Sequence, residues 1–145
     1  MKKVLVFGVF DLFHFGHLRL LQRARNLGDY LIVAVQDDEY VVKYKPPGSM
    51  ESLYNTEERV EMIRSLRIVN EVIVYKTVAD NIREIDFTIY VKGPDNMHEG
   101  ILSAVQYCAE KNKEVVTLPR TDGISSTYIK RLLDDFVKGD INGQE

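Results

Sequence analysis

Two nearly continuous apolar runs, Lys3 to Val9 and Tyr30-Leu31-Ile32-Val33-Ala34-Val35, flank a segment whose apolar residues return at helical spacing. Unbroken runs of this kind are the mark of strands covered on both faces, as in parallel sheets. Between them, Leu18 to Leu27 carries Leu20, Leu21, Ala24 and Leu27 on one helical stripe, and Gly28-Asp29 stops the helix. Two parallel strands joined by a helical crossover therefore open the chain.

The same alternation continues. Asn55 with Glu58 three residues on forms a capping-box pattern and predicts a helix to about Arg67, with Val60, Met62, Ile63 and Leu66 inward. Glu71 to Tyr75 reads as a strand, Asp80 to Ile85 as a short helix, Phe87 to Val91 as a strand and Glu99 to Asn112 as a helix. Glu114 to Leu118 is the fifth strand. Ile129, Leu132, Leu133, Phe136 and Val137 then follow the i, i+3, i+4, i+7 rule of an amphipathic helix, with Gly139 at its expected end. Lys43 to Leu53, with Pro46-Pro47-Gly48-Ser49, has no periodicity and reads as a loop able to act as a flap.

Strands alternating with helices specify an α/β fold, and right-handed crossovers leave few topologies. The expected architecture is a Rossmann-like, doubly wound, five-stranded parallel sheet of order 3-2-1-4-5 with helices on both faces. That order opens a crevice between strands 1 and 4, and ligands bind outside the carboxyl ends of the strands there. The residues after Val9, Val91 and Leu118 are therefore the ones to inspect.

At 145 residues, one domain is expected, residues 1–139, followed by a short tail, 140–145. With 45% hydrophobic and 28% charged residues the chain is neither disordered nor collagen-like. Its net charge of −3 lacks the basic excess that backbone-driven nucleic-acid binding requires. Cys108, the one cysteine, is flanked by Val105, Tyr107 and Ala109 and reads as a buried filler on a helix. No apolar run approaches the roughly 18 residues of a membrane span, and the N-terminal run lacks a cleavage site, so a cytoplasmic location is expected.

Three loops carry chemistry. After strand 1, Asp11-Leu12-Phe13-His14-Phe15-Gly16-His17 sets two histidines three apart at a helix start, where free N–H groups and the helix dipole favour phosphate. The structural alternative is one capping and one packing histidine. A zinc site needs a third ligand, for which Asp11 is the only near candidate. After strand 5, Arg120-Thr121-Asp122-Gly123-Ile124-Ser125-Ser126-Thr127 offers a forked donor and three hydroxyls at another helix start. After strand 4, Lys92-Gly93-Pro94-Asp95-Asn96 is a turn in which Gly93 permits close approach and Asp95 can accept from a ligand. No Walker phosphate loop, Gly-x-Ser-x-Gly elbow or dinucleotide glycine fingerprint is present.

The pairing of His14-Phe15-Gly16-His17 with Arg120-Thr121-Asp122-Gly123-Ile124-Ser125-Ser126-Thr127 resembles the signatures of the cytidylyltransferase family, over about Lys3 to Leu133. The resemblance implies transfer of CMP from CTP to a phosphorylated alcohol (glycerol 3-phosphate or a related polyol, amino-alcohol or sugar phosphate), with pyrophosphate released. It also implies magnesium as cofactor, with no protein ligand assigned to it, and a homodimer. By position, His14, His17 and Arg120 look catalytic. Val9, Phe10, Asp11, Gly16, Lys43, Lys45, Arg67, Gly93, Asp95, Thr121, Gly123, Ile124, Ser125 and Thr127 look like nucleotide and phosphate contacts. Asp11 and Asp38 fall on the acceptor side. Val9 stands where the family usually has threonine, Asn70 where aspartate is common, Asn96 where the glycerol phosphate enzymes tend to carry an aromatic, and Lys43 and Lys45 lie one place from the family's basic residues. An adenylyltransferase of the same fold is the competing enzyme reading, and a nucleotide-binding module without turnover the competing reading of another class.

Overall fold

The computed structural model describes residues 1–44, 52–94 and 98–141. Strands β1 (Lys3–Gly8), β2 (Tyr30–Gln36), β3 (Glu71–Tyr75), β4 (Ile89–Lys92) and β5 (Glu114–Thr117) form one parallel sheet of order β3-β2-β1-β4-β5. This is the order expected from the alternation of elements.

Side chains along each strand alternate between two cores, as the pleat demands. Val4, Val6, Leu31, Val33, Val35, Ile89 and Val91 face a layer built with Leu21 and Ala24 of α1 (Phe15–Arg25) and Val60 and Ile63 of α3 (Thr56–Arg64). Leu5, Ile32, Ala34 and Tyr90 face the other layer with Ile82, Phe87, and Ala104 and Cys108 of α5 (Glu99–Glu110). Cys108 is wholly buried there, and burial pushes its thiol pKa up, which suits a packing residue rather than a nucleophile. The short helix α4 (Val78–Asn81) continues into a 3₁₀ turn, Ile82–Glu84.

Several boundaries differ from expectation: α3 ends at Arg64 rather than about Arg67, the short helix starts at Val78, and Met62, expected inward, is exposed because it falls off the Arg59-Val60-Ile63 stripe of α3. The helix α1 begins at Phe15 rather than Leu18, because His14 supplies the cap. A helix, α2 (Asp38–Tyr44), occupies part of the segment read as loop; acidic Asp38 and Glu39 in its first turn complement the helix dipole, and Asp37 Oδ1 accepts from the Glu39 N–H at 2.9 Å. The flap residues Lys45 to Ser49 lie outside the described residues. Finally, α6 (Ser126–Ile141) runs through Gly139, because one exposed glycine costs only about 1 kcal/mol in a helix. Its apolar stripe is not covered by the sheet: Leu133 is 53% and Phe136 66% exposed.

One polar side chain sits wholly inside. Arg59 of α3 is 0% exposed, and its guanidinium donates Nε to Tyr54 O at 3.0 Å and Nη1 to Val9 O at 3.0 Å and Gln36 O at 2.8 Å. Nη2 meets Asp38 Oδ1 at 2.6 Å. A planar fork with five donors fits this cluster of carbonyls, and a lysine does not. Arg59→Ala should therefore lower unfolding free energy by at least about 3 kcal/mol, read by urea denaturation, with Arg59→Lys recovering only part of it.

Candidate active site

At the carboxyl ends of β1 and β4, a cleft of about 370 Å³ is lined by Val9, His14, Gly16, His17, Gly93, Arg120, Thr121, Ile124 and Ser125. The two signature segments, more than a hundred positions apart, thus meet where the strand order reverses. One wall is α1 and the start of α6; the other is the start of α5, on the opposite face of the sheet.

The first loop is held under local strain. Phe10 and Leu12 adopt left-handed φ of 57° and 49°, which non-glycine residues rarely do without support from their surroundings. Phe10 is buried, and its ring meets the His17 ring edge-on at 5.3 Å; Phe13 stacks on the same imidazole at 5.5 Å.

Both histidines cap α1. His14 Nδ1 accepts from the Gly16 N–H at 3.0 Å and the His17 N–H at 3.4 Å, while His17 Nδ1 accepts from the His14 N–H at 3.2 Å. A capping box built from imidazoles assigns the tautomer of each. With Nδ1 accepting, the proton resides on Nε2, which leaves each ring one N–H donor beyond the cap. The rings stack at 3.8 Å between centroids. The glycine between them is a steric requirement, since a Cβ at Gly16 would stand 2.8 Å from His14 Cε1.

Electrostatics keep these rings neutral in the free protein. Burial, then the neighbouring His14, lowers the His17 pKa from the ordinary 6.5 to about 3, and burial lowers that of His14. The site therefore offers neutral N–H donors rather than cationic imidazoles. Cationic rings would turn Nδ1–H against the N–H groups they cap.

The second signature leads into α6. Ser125 Oγ accepts from the Tyr128 N–H at 3.0 Å, capping the helix while its own hydrogen stays available. Gly123 takes φ +80°, the left-handed region that its position in the preceding turn requires. The exposed Thr127 lies off the cleft.

Asp11 is placed differently from the other signature residues. Its carboxylate accepts from the Leu53 N–H at 3.0 Å and the Tyr54 N–H at 3.1 Å and pairs with Lys130 Nζ of α6 at 2.6 Å; its carbonyl accepts from the Ser126 hydroxyl. Burial pushes its pKa up, but Lys130 and the two N–H groups outweigh that and hold it below the ordinary carboxylate value. Asp38 is tied to Arg59 and Thr56 and lines a separate depression beside α3. Arg67 is exposed in the turn after α3, and Lys43 lies over the Tyr40 ring at 5.2 Å on α2, neither lining the cleft. Lys45 and Asp95 fall outside the described residues. Among the described residues, no three His, Cys, Asp or Glu side chains cluster as a metal site. The residues missed from sequence are Arg59, whose role has no local signature, and His98, which lines the cleft at the start of α5.

Residues 5–132 match the family described as Cytidylyltransferase-like. The chain is 42% identical over 135 residues to the glycerol-3-phosphate cytidylyltransferase of Bacillus spizizenii, covering 90% of this chain and 96% of that one. It is 41% identical over 138 residues to the enzyme of the same name from Staphylococcus aureus, covering 92% and 96%. Among solved structures, a lipopolysaccharide core biosynthesis protein from Thermoplasma volcanium shares the fold, with a TM-score of 0.67 at 22% identity over 83% of this chain and 97% of that one.

The cap has a pH signature. A histidine whose folded pKa lies below its unfolded value stabilises the fold above pH 6.5 and progressively less as pH falls toward 3. In equilibrium unfolding, the loss between pH 6.5 and about 3 should be shallower in His17→Asn than in the wild type, by up to about 1.4 kcal/mol per pH unit. Asparagine keeps an acceptor for the His14 N–H but cannot take the proton.

Proposed function

Because the chain belongs to the cytidylyltransferase-like family, we propose that it transfers CMP from CTP to a phosphorylated alcohol, with glycerol 3-phosphate as acceptor. The observation that carries this is the meeting of two Nε2–H donors, Arg120 and the capped start of α6 around one cleft. The relatives at 38–42% identity, covered to 95–96% of their length, are named for glycerol 3-phosphate, whereas a FAD synthase covered to 94% is only 32% identical.

The chemistry follows from the donors. A phosphomonoester, with a second pKa near 6, is mostly dianionic at neutral pH, so its oxygen attacks the α-phosphorus without a general base. The new oxygen–phosphorus bond forms as the bond to pyrophosphate breaks, in line. Charge on the α-phosphate oxygens is met by His14 and His17, prealigned by the cap, while Arg120 and Ser125 receive the departing pyrophosphate. Magnesium, which the family implies, would be carried on the triphosphate's own oxygens with water completing its shell, since the Asp11 carboxylate is already engaged.

Pyrophosphate release should be fast with CTP and glycerol 3-phosphate and slow with ATP or with unphosphorylated glycerol. A preference for ATP would move the protein to the adenylyltransferases, and tight CTP binding without release, across polyol, amino-alcohol and sugar phosphates, to a binding module. His14→Ala or His17→Ala should lower kcat by about 10²–10³-fold. Arg120→Lys should also be damaging, because a point charge does not reproduce the planar fork.

A homodimer and a cytoplasmic location belong to the same proposal. Tyr128, Leu132, Leu133, Phe136 and Val137 leave an uncovered, contiguous apolar face along α6, the kind of surface a partner covers. No described helix is long and apolar enough to cross a membrane. The wild type should sediment as a dimer and the Leu133→Lys, Phe136→Asp double variant as a monomer; a monomeric wild type overturns this part.

A further inference from the structure

The chain has three histidines, and all three line one cleft. Two are engaged in capping α1. The third, His98, stands at the N-cap of α5 with φ −70° and ψ 163°, the backbone of a capping residue, yet its side chain makes no hydrogen bond to the helix it begins.

That position is the one where a serine, aspartate or asparagine would satisfy a free N–H of the first turn, worth about 1 kcal/mol. The chain uses this device at His14, Asn55 and Thr77. At His98 it does without it. The exposed imidazole instead lies beside Gly100, where a Cβ would meet its Nδ1 at 3.4 Å and its Cε1 at 3.5 Å. A local rule broken at the rim of a functional cleft points to a role in binding.

The position within the cleft narrows that role. His14, His17, Arg120 and Ser125 gather on the α1 and α6 side and face phosphate. The wall below His98 is of another kind: Ile101 lies one helical turn along α5, and Phe7, Tyr75 and Tyr90 form an edge-to-face aromatic set beneath. A half-cleft walled mainly by apolar and aromatic side chains, with the Lys92 ammonium turned to the Gly93 carbonyl at 3.4 Å and His98 at the rim, suits a flat heterocycle rather than an anion.

We propose that His98 is a specificity-determining residue that hydrogen-bonds the nucleobase of CTP, its ring N–H donating to the O2 or N3 acceptor of cytosine. This rests on the cytidylyl-transfer reading, and the phosphate groups set the chemistry while His98 reads the base.

The test compares wild type, His98→Ala and His98→Asn in steady-state turnover with CTP and in inhibition by inorganic tripolyphosphate, which has no base. Losing one hydrogen bond should raise KM for CTP about five- to tenfold, with kcat within about threefold of wild type. Tripolyphosphate inhibition should be unchanged. The asparagine variant should melt at or above the wild-type temperature, since it regains a cap, which separates binding from folding. An unchanged KM for CTP overturns the proposal, and so does parallel weakening of CTP and tripolyphosphate, which would make His98 a phosphate contact. A wild type inactive with CTP sinks the underlying reading instead, before any variant is made.

Discussion

A guanidinium with no access to water fixes the ends of β1 and β2. At the end of each strand a carbonyl points away from the ladder, Val9 just past β1 and Gln36 closing β2, and Arg59 takes both together with Tyr54 O. An unsatisfied buried carbonyl is costly, so the three segments are held wherever the fork can reach them all. The loop from Val9 to His14 departs from this anchor. Its left-handed residues, Phe10 and Leu12, are conformations that an unanchored loop would abandon. The strain at the cleft and the buried arginine beneath it are two sides of one arrangement.

On that anchored loop, the two histidines assigned to the proposed chemistry also hold the start of α1 together. Capping with Nδ1 aims the Nε2–H outward, and burial removes the charge that would compete with the cap. A neutral donor held in place is not a weak choice for a transition state. It needs no reorganisation when charge develops, and in a site closed to water its dipole is poorly screened. Capping and ligand binding are alternatives in the sequence; the geometry shows the capping, and in the proposed mechanism the cap is what aims the donors.

What was legible in the sequence follows from which interactions are local. The five strands and their order were readable because burial on both faces leaves unbroken apolar runs such as Val4-Leu5-Val6, and helical crossovers leave their own spacing on neighbouring residues. The Asn55–Glu58 capping box was readable for the same reason, and it forms with hydrogen bonds of 2.8 and 2.9 Å. Arg59 was not, since nothing near it in sequence announces that its partners come from residues 9, 36, 38 and 54. Helix α2 was hidden by its brevity and by the proline-rich stretch after it, although Asp37-Asp38-Glu39 is a helix-start signal. The stripe on α6 was read correctly as a pattern, but a pattern says only that a face wants cover, not what covers it.

Asp11 shows how that face bears on the site. Its carbonyl and carboxylate bind Ser126 and Lys130, on the first turns of α6, while the same carboxylate holds the N–H groups ahead of α3. A buried ion pair of this kind adds little net stability, because desolvation offsets its attraction; its effect is to make other placements of α6 expensive, since each would strand a charge. Ser125 immediately precedes α6, so the end of the cleft proposed to hold phosphate takes its position from this pair. A second copy seated on the apolar stripe farther along the same helix, as the proposed homodimer requires, would act on a rod whose near end is pinned beside Ser125, and would bear on the cleft through one rigid element.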